Sequence, residues 1–142
     1  MIQTATKIRP TIKTEGHSNS ASNRINTDFL KLLESQFPIT DLHNTLKLRS
    51  ASDFAQKLDI HVNHLNRSVK AINNKPTSNI IRNRILAESK RLLRQTDWNV
   101  SEIAYALGFT EVTHFNNFFK KGMDMNPSQF RKSLNESSKN KV

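Results

Sequence analysis

Residues 52–60, SDFAQKLDI, and residues 101–109, SEIAYALGF, share a serine, an acid, an apolar residue, an alanine and a leucine at the same spacing. Residues 63–71, NHLNRSVKA, then match residues 113–121, THFNNFFKK, after one additional residue in the second copy. Histidine, asparagine and lysine recur in register in this second pair. Self-similarity of this length predicts two copies of one supersecondary unit.

Each copy is predicted to form a short helix, a tight turn and a second helix, because its apolar positions follow the helical period on both sides of the turn. Gly108 can adopt the positive φ that the second turn needs, and Asp59 is its less favourable counterpart in the first. Phe118 is expected to pack near Phe130 on a closing helix. The predicted inward residues are Ala55, Leu58, Ile60, Leu65 and Val69 in the first copy and Ala104, Leu107, Phe109, Phe115 and Phe119 in the second.

Further helices are predicted before, between and after the copies. Residues 29–37 carry an apolar stripe that Pro38 ends. A helix from residue 77 to about residue 95 has an apolar side and would span ~28 Å at 1.5 Å per residue. Asparagines three residues before Glu102 and Gln129 have the spacing of capping boxes, which mark helix starts near residues 100 and 127.

These elements predict an all-α chain. The expected divisions are a disordered lead or linker (1–26), a first helix-turn-helix subdomain with its preceding helix (27–76), a linker helix (77–97), a second helix-turn-helix subdomain (98–134) and a flexible tail (135–142).

Composition narrows the class of partner. Lys and Arg number 22 against 12 Asp and Glu, a formal charge of +10 that attracts phosphate backbones or anionic lipid surfaces. No run approaches the ~20 apolar residues of a membrane span, so a cytoplasmic protein is expected. The absence of cysteine excludes disulfides and Cys-based zinc fingers. His61 and His64 lack a third ligand, and the acids do not converge, so we expect no metal, no cofactor and no enzyme.

The outward side of each second helix carries short polar groups suited to base edges. Asparagine pairs with adenine and arginine with guanine, while valine and threonine methyls contact the thymine methyl. The predicted base-reading residues are Asn63, Asn66, Arg67, Val112, Thr113, Asn116 and Asn117. Lysines, histidines and helix N-termini suit phosphates. The predicted phosphate contacts are Ser52, His64, Lys70, Arg84, Ser101, His114 and Lys120.

The chain resembles the DNA-binding domain of the AraC/XylS family of bacterial transcription regulators. The resemblance is strongest from Asp53 onward and is carried by FAQKLDI, HLNRSVK, AESKRLL, VSEIAYALGF, THFNNFFKK and NPSQFR. It implies homeodomain-like three-helix units whose two recognition helices enter successive major grooves of a promoter site of ~20 base pairs. Where family members often carry glycine, this chain has Asn74 and Asp124, which also tolerate the left-handed conformation.

The resemblance also implies partners. These are double-stranded promoter DNA and RNA polymerase, with no membrane and with an effector only if a sensor domain lies upstream. The segment FLKLLESQFPI resembles the connector that follows such a domain, which favours a C-terminal fragment over a stand-alone regulator. The alternative function is a helical protein- or RNA-interaction module without sequence-specific DNA binding.

Overall fold

The computed structural model describes residues 13–140, with side chains from residue 20 to residue 136. Within that range the chain forms seven helices and no strand. They are α1 (Lys13–Glu34), α2 (Ala51–Lys57), α3 (Val62–Asn73), α4 (Thr77–Gln95), α5 (Val100–Ala106), α6 (Val112–Met123) and α7 (Pro127–Asn140). This confirms the all-α prediction, with helix-turn-helix units α2–α3 and α5–α6 joined by α4. None of the helices in the described part of the chain is long and apolar enough to cross a membrane.

The turns and helix ends have the backbone that the repeat predicts. Asp59 and Gly108, which follow the C-caps of α2 and α5 in the two turns, have φ values of 59° and 88°. Asn74 and Asp124 cap α3 and α6 with φ values of 60° and 63°. Their N–H groups donate to the carbonyls four residues earlier. The predicted left-handed conformations are therefore confirmed at all four positions.

Helix α1 begins earlier than the sequence indicated. Residues up to about 26 are predicted to be a disordered lead or linker, but α1 starts at Lys13, and residues 1–12 lie outside the described part of the chain. At residue 26 this helix is held by α3, because Asn73 Nδ2 donates to Asn26 Oδ1 at 2.7 Å and to the Val69 carbonyl at 2.8 Å. Asn26 is 7% exposed, so a polar residue occupies a buried place that an apolar stripe cannot reveal.

The second unit closes on α7. Phe115 and Phe119 are fully buried, and the Phe119 and Phe130 rings pack edge to face with centroids 5.4 Å apart. The Phe118 ring instead lies 5.3 Å from the Phe109 ring, so its predicted packing near Phe130 is wrong. Helix α7 continues through Asn140, five residues past the predicted start of the tail at residue 135, and no glycine or proline interrupts the sequence after Pro127. Residues 141–142 lie outside the described part of the chain.

Helix α4 has the predicted bounds and the predicted buried face, and it also buries a carboxylate. Glu88 is 1% exposed and its Oε2 accepts from the Ile39 N–H at 2.7 Å and from Arg91 Nη2 at 2.8 Å. The same Arg91 nitrogen donates to the Ile39 carbonyl at 2.9 Å. One ion pair therefore fixes both main-chain groups of Ile39, in the connection between α1 and α2.

The C-terminal end of α4 is closed by Arg131 of α7. Its guanidinium donates to the carbonyls of Leu92, Leu93, Thr96 and Trp98 at 2.6 to 3.5 Å. These include last-turn carbonyls that have no partner within a helix, and a cation there is also favoured by the helix dipole.

A second connection links the two units directly. The Leu46 N–H donates to the Ala106 carbonyl at 2.8 Å, and Arg49 Nε donates to the Leu107 carbonyl at 2.9 Å. The Arg49 guanidinium lies 4.5 Å from the centre of the Phe109 ring. A Cβ on Gly108 would lie 2.5 Å from Arg49 Cδ, so glycine allows this close approach. The segment before α2 therefore contacts the turn of the second unit.

Candidate nucleic-acid interface

Helix α3 exposes the three residues predicted to read bases in the first unit. Asn63, Asn66 and Arg67 are all exposed, whereas Leu65 and Val69 on the other side of the helix are fully buried. The helix start is fixed by the N-cap residue His61, whose Nδ1 accepts from the Asn63 N–H at 3.0 Å. No group of potential ligands in the described part of the chain could hold a metal ion.

Helix α6 presents a similar face, with its centre at Thr113 and Asn117. Both are exposed, opposite the buried Phe115 and Phe119. Asn116 is half-buried, and the half-buried Val112 packs against the core. The structure therefore brings Thr113 and Asn117 together and leaves Val112 and Asn116 at the edges of this face.

The predicted phosphate contacts other than Arg84 are exposed; they are Ser52, His64, Lys70, Ser101, His114 and Lys120. Ser52 and Ser101 are each the second residue of a helix, while Ser50 and Asn99 are the N-caps. Both caps form the reciprocal hydrogen bonds of a capping box. In the first, the Arg49 N–H donates to the Asp53 carboxylate and lowers the pKa of Asp53.

Arg84, also predicted as a phosphate contact, is engaged within the fold. Its Nε pairs with Glu34 Oε2 at 2.6 Å, and its guanidinium lies 4.1 Å from the centre of the Phe37 ring. A second carboxylate, that of Glu88, is 3.7 Å away. Arg84 therefore lies on the α1 side of α4, with its charge opposed by two acids.

Arg82 belongs to the basic residues of α4, some of which the sequence suggests should line the DNA face, but it was not among the predicted phosphate contacts. Residues two positions apart on a helix do not face the same way, so Arg82 and Arg84 point to different sides of α4. Arg82 is exposed and its Nη2 donates to Asn79 Oδ1 at 2.5 Å. It lines two hollows, one beside α6 with Phe118 and one between the units with Ser78 and Phe118. The helical period, counted from the buried Ile81 and Ile85, places the two arginines on different sides of α4. It does not show which side faces the second unit, because that depends on how the units pack.

Comparison with known proteins agrees with this architecture. A family model described as a helix-turn-helix domain matches residues 54–133, more than half of the chain. The xylose operon regulatory protein of Haemophilus influenzae is 31% identical over 74 residues, which are 52% of this chain and 19% of that protein. The probable transcription factor PqrA of Proteus vulgaris is 29% identical over 113 residues, 80% of this chain and 87% of that one. The chain thus spans about a fifth of the first relative's length.

Solved structures share the fold. The DNA-binding domain of AdpA in complex with a target DNA has a TM-score of 0.63 at 16% identity, covering 80% of this chain and 94% of that one. A transcriptional regulator of Chromobacterium violaceum, described as having an AraC-type DNA-binding domain, has a TM-score of 0.60 at 22% identity with the same coverage. The chain belongs to the AraC/XylS family of helix-turn-helix DNA-binding domains.

Proposed function

We propose that this protein regulates transcription by inserting α3 and α6 into successive major grooves of promoter DNA. The observation that carries the proposal is the pair of exposed polar helix faces held by one helix, α4, of 19 residues. At 1.5 Å per residue α4 spans ~28 Å, which is comparable with the ~34 Å repeat of the major groove on one face of B-DNA. The net charge of +10 supports the same partner.

Within this proposal, Arg67 pairs with a guanine, and the asparagines at 63, 66 and 117 pair with adenines. Thr113 contacts a thymine methyl, with Val112 and Asn116 at the margin of the interface. The six exposed residues predicted as phosphate contacts fix the register of the helices on the DNA. Arg84 is left out because it is engaged by Glu34 and Glu88.

Selection from a random duplex library, followed by binding measurements, tests the proposal. Arg67→Ala should weaken the selected site by ~1–3 kcal/mol and relax the preference at one base pair, because a bidentate base contact is lost. Lys120→Ala should weaken binding to selected and random duplexes alike. It should also reduce the slope of log K against log salt concentration by the contribution of about one phosphate contact. Lys31→Ala, which removes an exposed lysine of α1, is the matched control and should change neither.

Three results would contradict the proposal. One is the absence of any selected motif, and another is equal loss on selected and random DNA for both variants. The third is equal binding to a duplex RNA of the same sequence, because the deep, narrow major groove of RNA does not admit a helix. That result would favour a helical RNA-interaction module.

We extend the proposal to RNA polymerase as a protein partner and to the bacterial cytoplasm, at the nucleoid, as the place of action. An effector enters only through a sensor domain outside this chain. Transcription from a promoter that carries the selected site, with purified polymerase, tests this extension. A change of transcript level that Arg67→Ala abolishes is expected, and an unchanged level would contradict the role in regulation.

A further inference from the structure

Two adjoining hollows lie along α4, one against the second helix-turn-helix unit and one between the two units, and Arg82 lines both of them. On one side it borders Phe118, Lys121 and Gly122 of α6. On the other it borders the start of α2 and Ser78 of α4. We call this surface, from Ser78 through Arg82 to Lys121, the seam. It runs from the edge of one helix-turn-helix unit to the edge of the other.

The seam reaches both recognition helices. A third hollow is lined by Asn66 and Lys70 of α3 and shares Ala51 and Ser78 with the second hollow. Ser78 and Arg82 are one turn apart, about 6 Å along α4. Arg82 therefore lies midway on a continuous path from α3 to α6.

The seam is positively charged, and no acid lines either of its two hollows. Arg82 and Lys121 are exposed, and neither has a carboxylate within 4.0 Å among the described side chains. The other arginines that flank this region are occupied within the fold. Arg49 donates to the Leu107 carbonyl, and Arg84 pairs with Glu34. Arg82, in contrast, donates to a neutral side chain, that of Asn79, and has no acid opposed to its charge among the described residues.

The proposed function determines what faces the seam. When two helices occupy successive major grooves on one side of B-DNA, the minor groove between them faces the protein midway. A narrow minor groove concentrates negative potential and attracts inserted arginine, and A·T tracts are narrow. The spacer DNA between the two half-sites would thus meet Arg82 and Lys121.

We propose that Arg82, with Lys121 beside it, contacts the minor groove of this spacer and makes affinity depend on the width of that groove. This inference rests on the proposed function. It predicts that the protein also prefers certain base pairs in the spacer, which neither recognition helix contacts. The preference arises from DNA shape, so it involves no base-specific hydrogen bond in the major groove.

The test keeps both selected half-sites constant and compares three spacers, built from A·T, G·C and inosine·C pairs. Inosine lacks the 2-amino group of guanine in the minor groove but presents the same major-groove atoms. The full chain should bind the A·T and inosine·C spacers about 3- to 10-fold more tightly than the G·C spacer. Equal affinity for the G·C and inosine·C spacers would overturn the proposal.

Variants assign the effect to the seam. Arg82→Ala should abolish the spacer preference, and Lys121→Ala should reduce it. Arg94→Ala is the matched control, because Arg94 is an exposed arginine of the same helix, about 18 Å from Arg82 along its axis. It should keep the full preference. A preference that survives in Arg82→Ala, or that Arg94→Ala removes equally, would overturn the inference.

The proposed function can fail separately from this inference. If no duplex shows a preference at the half-sites, with any spacer, the proposed function fails. If half-site preferences are present and Arg67→Ala alters them, but the spacer has no effect, only the role of Arg82 fails. Circular dichroism melts of each variant should match the parent chain, because the substituted side chains are exposed.

Discussion

Removing the negative charge of Glu88 should lower the free energy of unfolding by about 2–3 kcal/mol. Breaking a buried ion pair by changing one partner typically costs about 3–5 kcal/mol, because the other charge is left buried. Here the side chains of Arg91 and Arg84 are 26% and 25% exposed, so water compensates part of the loss. Glu88→Gln keeps an acceptor for the Ile39 N–H, so the variant isolates the charge.

The same loss can be expressed as a change of Tm and checked with a double variant. For a chain of this size, 1 kcal/mol changes Tm by about 3–4 °C, so Glu88→Gln should melt roughly 6–12 °C below the parent protein. Glu88→Leu combined with Arg91→Met removes both charges. Its cost should be smaller than the sum of the two single substitutions by about 1–3 kcal/mol, which is the coupling of residues in contact.

The pH dependence follows from the pKa of Glu88. Burial alone would raise this pKa, but hydrogen bonds from Arg91 and the Ile39 N–H, with the charges of Arg91 and Arg84, outweigh burial and hold it below 4.5. Since the pKa is lower in the folded protein than in the unfolded chain, the stabilisation is complete above the unfolded value. It is lost as the pH falls through the folded value.

Urea unfolding followed by circular dichroism measures the difference between the parent chain and Glu88→Gln. The difference should be constant between about pH 8 and pH 5.5 and should shrink below about pH 4.5. A difference under about 0.5 kcal/mol at neutral pH would show that the buried pair does not stabilise the fold. A large difference that persists unchanged in acid would show that the substitution acts through packing and not through charge.

Substitutions at four further positions test the fold. Gly108→Ala should destabilise by about 1–2 kcal/mol, because alanine is strained at φ 88°. Its Cβ would also meet Arg49, so Arg49→Ala should relieve only the steric part of the loss in a double-mutant melt. Asn74→Gly and Asp124→Gly should each stabilise by about 0.5 kcal/mol at left-handed positions, and a lower urea midpoint for either would contradict this. Arg131→Met should cost about 2 kcal/mol, because the carbonyls of Leu93, Thr96 and Trp98 lose the Arg131 donor, whereas the Leu92 carbonyl keeps the Thr96 N–H and hydroxyl. Arg131→Lys should recover less than half in the same urea assay.

Local features of the fold were predictable from sequence because they depend on neighbouring residues. The repeat indicated both turns, including the left-handed backbone at Asp59, and the capping box at Asn99 was read correctly. The buried polar contacts were not predictable. Asn26 and Glu88 form hydrogen bonds with residues 47 and 49 positions away in the sequence. A periodic pattern reports only on nearby positions, so it cannot predict such contacts.

The candidate site also has a part that was predictable from sequence and a part that was not. The outward residues of α3 and α6, such as Arg67 and Asn117, can be predicted from the buried positions of the same helix. Whether Arg82 or Arg84 is free to contact DNA cannot be predicted in this way, because both are polar positions beside the same apolar stripe. Only the packing of α1 on one side of α4 and of α6 on the other decides which arginine is engaged.

The hydrogen bonds of Leu46 and Arg49 to the end of α5 bear on how target sites can evolve. Once one unit is bound, the other is delivered to its half-site at a high effective concentration, but only where the span matches. An inserted base pair would shift the second half-site by about 3.4 Å and rotate it by roughly 35°, which a doubly anchored pair of units cannot follow without breaking these contacts. Target sites of this protein should therefore diverge in base sequence while conserving their length.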